Sequence, residues 1–381
     1  MHSTTMSSVK FTNLPKRTLS HFHTLLQRPV PEVVATLSSL SIITDAKERT
    51  FPPGVSFTPT RPTTLSVGTE VTTNNTVTFS GVFSLNNFLH HGIKLDTALK
   101  TSFANGRFCV PTPSFTVTVP FFLRDGLHTI TASTSQETLS SKQPFPHTET
   151  WTPTTVSYTA PSFRLAFTQA AHVHTVHPTE RMRDIPHELF AGATEMDYNV
   201  ELAKTFARAL RTGSLTAFLA TTLGIYNNHL YASPTLDARL VTSVAPSCWL
   251  TSRLYAAGLL AESRVALSQY HYLGGNTLRG FAPRGCAGTV ERAHYGGNAL
   301  VAFAQFVHVR LPTTQPASLF AFANVGAQTL VSCVGQTVAG WAHGAAVGVG
   351  LRVGGVELNL TRSLLGSPAD SLARFQVTAA L

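Results

Sequence analysis

The chain has 381 residues, with 28 Lys+Arg against 19 Asp+Glu (formal net charge +9), 43% hydrophobic and only 12% charged residues. That is about half the charged share of an ordinary soluble domain. Low charge with ample hydrophobicity excludes intrinsic disorder, and the absence of an uninterrupted apolar window of about 18–20 residues excludes a helical membrane protein. Threonine supplies 52 residues and phenylalanine 24, a composition suited to a large β-sheet. No Lys/Arg run reaches five, so a nucleic-acid partner is not expected. Cys109, Cys248, Cys286 and Cys333 have neither C-x-x-C nor zinc-finger spacing.

In chain order, Met1 to Ser20 carries Lys10, Lys16 and Arg17 without an apolar core segment, so no secretory signal is read there. Leu19, Phe22, Leu25 and Leu26 fall at helical spacing, and Val33, Val34, Leu37 and Leu40 form the face of a second helix. Leu40–Ile43, the turn Phe51–Gly54 and the alternating Val55–Thr58 complete a small α+β unit over residues 1–62. From residue 66 to 381 period-two stretches recur: Thr76–Phe83, Ser114–Pro120, Phe163–Thr168, Ala302–Arg310, Leu319–Asn324 and Arg374–Val377. Val, Phe and Leu occupy one parity; Thr, Ser, Ala, Gln or a charge occupy the other, the pattern of half-buried strands. Val200–Leu210 reads as a helix by propensity and as a strand by context. The acidic stretch Glu188, Glu195 and Asp197 after Pro186 reads as a loop.

A membrane-spanning strand takes about 9–11 residues. The roughly 315 residues after Ser66 therefore supply about sixteen strands with their connections. A soluble sheet of that size would divide into domains and carry more surface charge. The expected fold is all-β: a transmembrane antiparallel β-barrel of about sixteen strands with a short N-terminal α+β appendage.

The most specific segment is Tyr272-Leu273-Gly274-Gly275-Asn276-Thr277-Leu278-Arg279-Gly280-Phe281. An arginine inside a barrel must satisfy a five-donor fork, and flanking glycines let the backbone approach a wall closely. Leu-Gly-Gly followed by Arg-Gly-Phe resembles the signature loop of the BamA-type outer-membrane insertase superfamily. Tyr295–Ala299, Val307–Pro312, Phe322–Gly326, Gly348–Leu351, Val356–Leu360 and Ala373–Val377 resemble successive later strands of that family. Pro53–Phe57 resembles the last strand of a polypeptide-transport-associated (POTRA) domain, and Ser80–Leu89 with Gly92 the first barrel strand and its turn.

The resemblance implies that Gly274, Gly275, Leu278, Arg279, Gly280 and Phe281 fold back into the lumen, against a wall formed by His308, Phe322, Asn324 and Gly326. It implies a lateral gate between a first strand bearing Val77, Phe79, Gly81 and Phe83 and a last strand bearing Phe375 and Val377. His308 and Asn324 stand where bacterial members typically carry acids, which is similar to the mitochondrial branch, the central barrel subunit of the sorting and assembly machinery. Residues 1–62 are then a truncated POTRA-like unit, and Ala373 replaces the usual glycine of the closing-strand signal. The implied function is insertion of β-barrel precursors into the mitochondrial outer membrane, with peripheral subunits and the bilayer as partners, and neither cofactor nor covalent chemistry. A passive porin-type pore and a polypeptide translocase are the alternatives. His172-Val173-His174 puts two imidazoles on one strand face near His177; with 16 histidines in the chain, chance accounts for the pair and no metal is assigned.

Overall fold

The computed structural model describes residues 63–379 except 72–76, 89–92, 105–106, 109–110, 124–125, 142–146, 177–191, 193, 276, 282–295, 313–316, 333–337, 354–355 and 367–373. The expected POTRA-like unit, residues 1–62, lies outside the described residues. The strands are β1 (Thr63–Val71), β2 (Val77–Phe88), β3 (Ile93–Ala104), β4 (Arg107–Phe108), β5 (Thr112–Leu123), β6 (Gly126–Ser135), β7 (Glu137–Ser141), β8 (His147–Thr159) and β9 (Phe163–Val176). They continue with β10 (Thr194–Leu210), β11 (Gly213–Tyr226), β12 (His229–Ala245), β13 (Cys248–Gly258), β14 (Leu260–Ala261), β15 (Ala299–Arg310), β16 (Ala317–Val331), β17 (Val338–Val353), β18 (Val356–Leu365) and β19 (Arg374–Ala379). Among the described residues the ladders that run from β1 to β8 and from β10 to β19 are antiparallel. The short strands β4, β7 and β14 share the partners of β5, β6 and β13, namely β3, β8 or β12, so each extends its neighbour. Nineteen segments thus make sixteen arms among the described residues. No described helix is long and apolar enough to cross a membrane.

The chain packs as two units. In the first, built mainly from residues 75–136 with β1 and residues 153–167, Leu65 faces Phe83 and Thr97 faces Phe115 across exposed rows, while Ser84 and Asn86 are buried. The second holds most of residues 168–381, with residues 137–152. There the register aligns Val307, Ala321, Val349 and Leu360 across β15–β18, all exposed. One residue along, Trp249, His308, Phe320, Gly350 and Asn359 align across β13 and β15–β18; of these His308, Phe320 and Asn359 are buried. On β18, Glu357, Asn359, Thr361 and Ser363 are buried while Leu358, Leu360 and Leu364 are exposed. Soluble sheets have the opposite polarity. A continuous exposed apolar face of this extent exceeds what water tolerates and is accounted for by lipid contact, since an even alternation of apolar-out and polar-in residues is the mark of a transmembrane barrel.

Two expectations change. Glu195 and Asp197 are not in a loop: both are buried on strand β10, which also decides the open reading of Val200–Leu210 in favour of a strand. Helix propensity loses here because each exposed residue of β10 gains a lipid contact and each backbone group a ladder partner on β11. Nor is the strand of Val77, Phe79, Gly81 and Phe83 the first. β1 precedes it and pairs along it from Thr63↔Leu85 to Val71↔Val77, while β3 occupies its other edge. Among the described residues β2 is therefore laddered on both edges and offers no open backbone groups. Phe375 and Val377 do lie on the last strand, opposite Leu360 and Leu358.

The inverted polarity has a direct test. Val325 is 50% exposed in the middle of β16. Val325→Arg is expected to cost about 2–4 kcal/mol when unfolding is measured in lipid vesicles, against no more than about 0.5 kcal/mol for an ordinary water-exposed position.

Candidate functional site

The functional segment, Arg264–Phe281, lies in the second unit between β14 and β15 and folds onto the buried face of the sheet. Its first part is held by carboxylates. Arg264 pairs with Glu195, Ser268 Oγ donates to Glu149 Oε1 (2.7 Å), and Gln269 Nε2 donates to Asp197 Oδ2 (3.3 Å). Tyr231 and Tyr226 donate to Asp197 and Glu195 respectively. Between these anchors Val265, Ala266 and Leu267 are buried against Tyr226, Tyr231 and Leu259. His271 bridges to Gly297, its amide and carbonyl both used (2.9 and 2.8 Å), and burial pushes its imidazole below the usual histidine range.

The second part carries the Leu-Gly-Gly and Arg-Gly-Phe residues. Gln328 on β16 accepts the Leu273 amide. Thr277 Oγ donates to the Gly274 carbonyl (2.8 Å), and the Gly275 amide donates to the Phe281 carbonyl (3.1 Å), which closes the loop on itself. Gly274 and Gly275 have φ of 126° and 59°. Leu273, Leu278 and Phe281 are all 0% exposed and pack with Leu300, Ala302 and Ala346. Leu278 and Phe281 thus pin the loop from either side of Arg279, leaving the arginine free to reach the wall. A Cβ on Gly280, whose φ is 94°, would stand 2.7 Å from the Ala346 Cβ, so close approach and backbone conformation both call for glycine there. Gly326 plays the matching part on the wall: a Cβ there would stand 2.8 Å from Leu273 Cδ2.

Arg279 ion-pairs with Glu357 and lies 3.4 Å from Asn359 Oδ1, both on β18. Its guanidinium sits 4.8 Å from the ring centre of Phe306, with Phe320 and Phe322 at 5.7 and 5.8 Å. Attraction of a cation to a ring face adds to charge-assisted hydrogen bonding here. The loop backbone is gripped as well: Asn324 Nδ2 donates to the Arg279 carbonyl (3.1 Å) and Ser363 Oγ to the Gly280 carbonyl (3.3 Å). Glu357 also accepts from Arg352, its cross-strand neighbour, at 2.7 Å.

The expected wall residues therefore divide. Phe322, Asn324 and Gly326 all receive the loop, through ring, backbone carbonyl and Leu273 respectively. His308 does not bond Arg279; it stacks on Trp249 at 4.9 Å and lines the same cavity. The charged receiver is Glu357, which the sequence places among the later strands without giving it a role. The arginine thus meets a carboxylate after all, so a wall without acids no longer separates the mitochondrial from the bacterial branch.

Around this contact lies a cavity of about 300 Å³ lined by Arg239, Arg253, Arg279 and Arg352 against Asp237 and Glu357. Arg253 forks onto Asp237 at 2.9 and 2.7 Å. Two guanidinium charges in excess of the carboxylates make the cavity cationic.

No family model and no curated protein matches the chain in sequence. In structure it is similar to BamA from Haemophilus ducreyi lacking POTRA domains 1–3, with a TM-score of 0.67 at 13% identity over 98% of this chain and 82% of that one. It is also similar to CdiB from Escherichia coli (TM-score 0.52, 16% identity, 97% and 75% covered). For CdiB from Acinetobacter baumannii the TM-score is 0.53, at 11% identity over 85% and 59%. The shared fold is a transmembrane antiparallel β-barrel of BamA type, and the buried face that receives Arg264–Phe281 is its interior.

Glu357 is the hub of this contact, and its loss should exceed that of the arginine. Glu357→Ala leaves Arg279 and Arg352 both without their carboxylate and is expected to cost about 3–5 kcal/mol. Arg279→Ala leaves Glu357 paired with Arg352 and should cost clearly less. Denaturant titration of the two variants in micelles decides; equal costs would remove Glu357 from the centre of the contact.

Proposed function

We propose that the chain is a non-enzymatic insertase that folds β-barrel precursors and inserts them into an outer membrane. The observation that carries this reading is the inward-folded Leu278-Arg279-Gly280-Phe281 loop, bound by its arginine to Glu357 and by its carbonyls to Asn324 and Ser363. The last strand, β19, supplies the working edge. Backbone N–H and C=O groups cannot stay unpaired in hydrocarbon, so an edge strand released there templates an incoming strand by β-augmentation. The partners are precursor barrels, the bilayer and peripheral subunits of an assembly complex.

A passive pore is the second reading, favoured by the arginine-rich cavity. Depletion separates the readings. Loss of an insertase lowers the other outer-membrane barrels, whereas loss of a pore leaves them at normal levels. Loss of a translocase stops export of its own substrate while barrels persist. The finer placement, in the mitochondrial outer membrane as the central subunit of the sorting and assembly machinery, is proposed on the motif resemblance alone. Subcellular fractionation tests it independently of the insertase reading.

The loop gives a sharper test than depletion. Gly280→Ala forces a Cβ against Ala346, whereas a Cβ on Gly340 meets nothing within 4 Å. Gly280→Ala should slow assembly of client barrels about tenfold or more, the equivalent of 1.4 kcal/mol, and Gly340→Ala should not. Equal client assembly in both variants would contradict the loop's part in the function.

A further inference from the structure

The carboxylates that hold the first part of the inward segment border a second cluster. Glu149 on β8 and His172 and His174 on β9 are buried together, one ligand-capable atom of each lying within 4.8 Å of the others. The two histidines, at i and i+2 on one strand, project from the same face. Glu149 comes from a separate strand, so the trio exists only in the folded sheet.

The hydrogen bonds around the cluster determine which atoms are left over. His172 Nδ1–H donates to Glu149 Oε1 (2.8 Å), and Ser268 Oγ donates to the same oxygen. The Tyr226 hydroxyl proton goes to Glu195, so at His174 it is Nε2–H that donates, to the Tyr226 oxygen at 3.0 Å with Glu195 Oε2 at 3.2 Å. His172 Nε2, His174 Nδ1 and Glu149 Oε2 are left buried without a donor, a costly state for polar atoms. His172 Nδ1 and Glu149 Oε1 stand 2.8 Å apart, so a cation that displaces the proton between them takes both atoms and leaves His172 Nε2–H to face Asp197 Oδ2, 3.9 Å away. His174 supplies the third ligand, within the 4.8 Å span of the trio.

We propose that Glu149, His172 and His174 form a binding site for a divalent transition cation of the zinc class. The donor set, two neutral imidazoles and a carboxylate, suits that class. Glu195 acts as the outer partner beside His174 Nε2 and Asp197 as the one facing His172 Nε2, the arrangement that fixes tautomer and ring direction at metal-bound histidines. Because Glu149 also holds Ser268, the cation ties β8 and β9 to the root of the inward segment.

The test uses the full chain folded in detergent micelles, stripped with chelator and then titrated with zinc sulfate alone. After gel filtration, elemental analysis should find about one zinc per chain, and cobalt substitution should give the visible absorption of a four-coordinate nitrogen–oxygen site. His172→Ala and His174→Ala should each lose the bound zinc. Glu149→Gln, which keeps the side-chain shape, should weaken binding by about tenfold or more. His229→Ala, at an exposed position at the start of β12, should bind as the parent does. Absence of stoichiometric zinc from the parent protein, which requires no variant to fold, would overturn the proposal. So would equal weakening by His229→Ala and His174→Ala.

Discussion

Hydrocarbon contains no water to satisfy polar groups, and that constraint organises the whole chain. The row Val307, Ala321, Val349 and Leu360 is exposed because it meets lipid, so the polar residues of the same strands must turn inward. Once inward they need partners, because a buried charge or amide without one is expensive. Much of what fills the described interior of the second unit answers that need: Glu357 takes two guanidiniums, Asp237 takes a third, and Asn324 spends its amide on a loop carbonyl. The low charge of the sequence follows, since each interior charge demands a counterpart and the exterior can carry few.

Arg264–Phe281 is best understood as a strap with two buckles of different chemistry. At its root, Arg264, Ser268 and Gln269 each bond a carboxylate from β8 or β10. At its tip, Leu278 and Phe281 supply apolar anchorage while Arg279 reaches between them to Glu357. The tip also depends on small wall residues, because Gly280 stands against Ala346 and Leu273 fills the space at Gly326. Bulk added at either place and charge removed from Glu357 act on the same docked state.

Much of the fold was legible because a two-residue period survives whichever solvent the outer face meets. Sixteen arms and the strand positions of Phe322, Phe375 and Val377 follow from that period and from length. Three things were not legible, each for a physical reason. The helical propensity of Val200–Leu210 conceals a strand whose exposed side chains, Phe206 and Leu210 among them, face lipid. Thr63–Val71 has few large apolar residues, so its pairing along β2 shows only in the ladder. The partner of Arg279 stands 78 residues away, and register rather than sequence spacing brings Glu357 to it. The same holds for Glu149 and the histidine pair: the pair was visible in sequence, its third member was not.

The central claim is that Arg279 and Glu357 join the inward segment to the barrel wall as one energetic unit. A double-mutant cycle with Arg279→Ala, Glu357→Gln and the combined variant, followed by unfolding in lipid vesicles, tests it most directly. The account predicts strong non-additivity, a coupling of about 1–3 kcal/mol. Costs that add to within about 0.3–0.5 kcal/mol would contradict it.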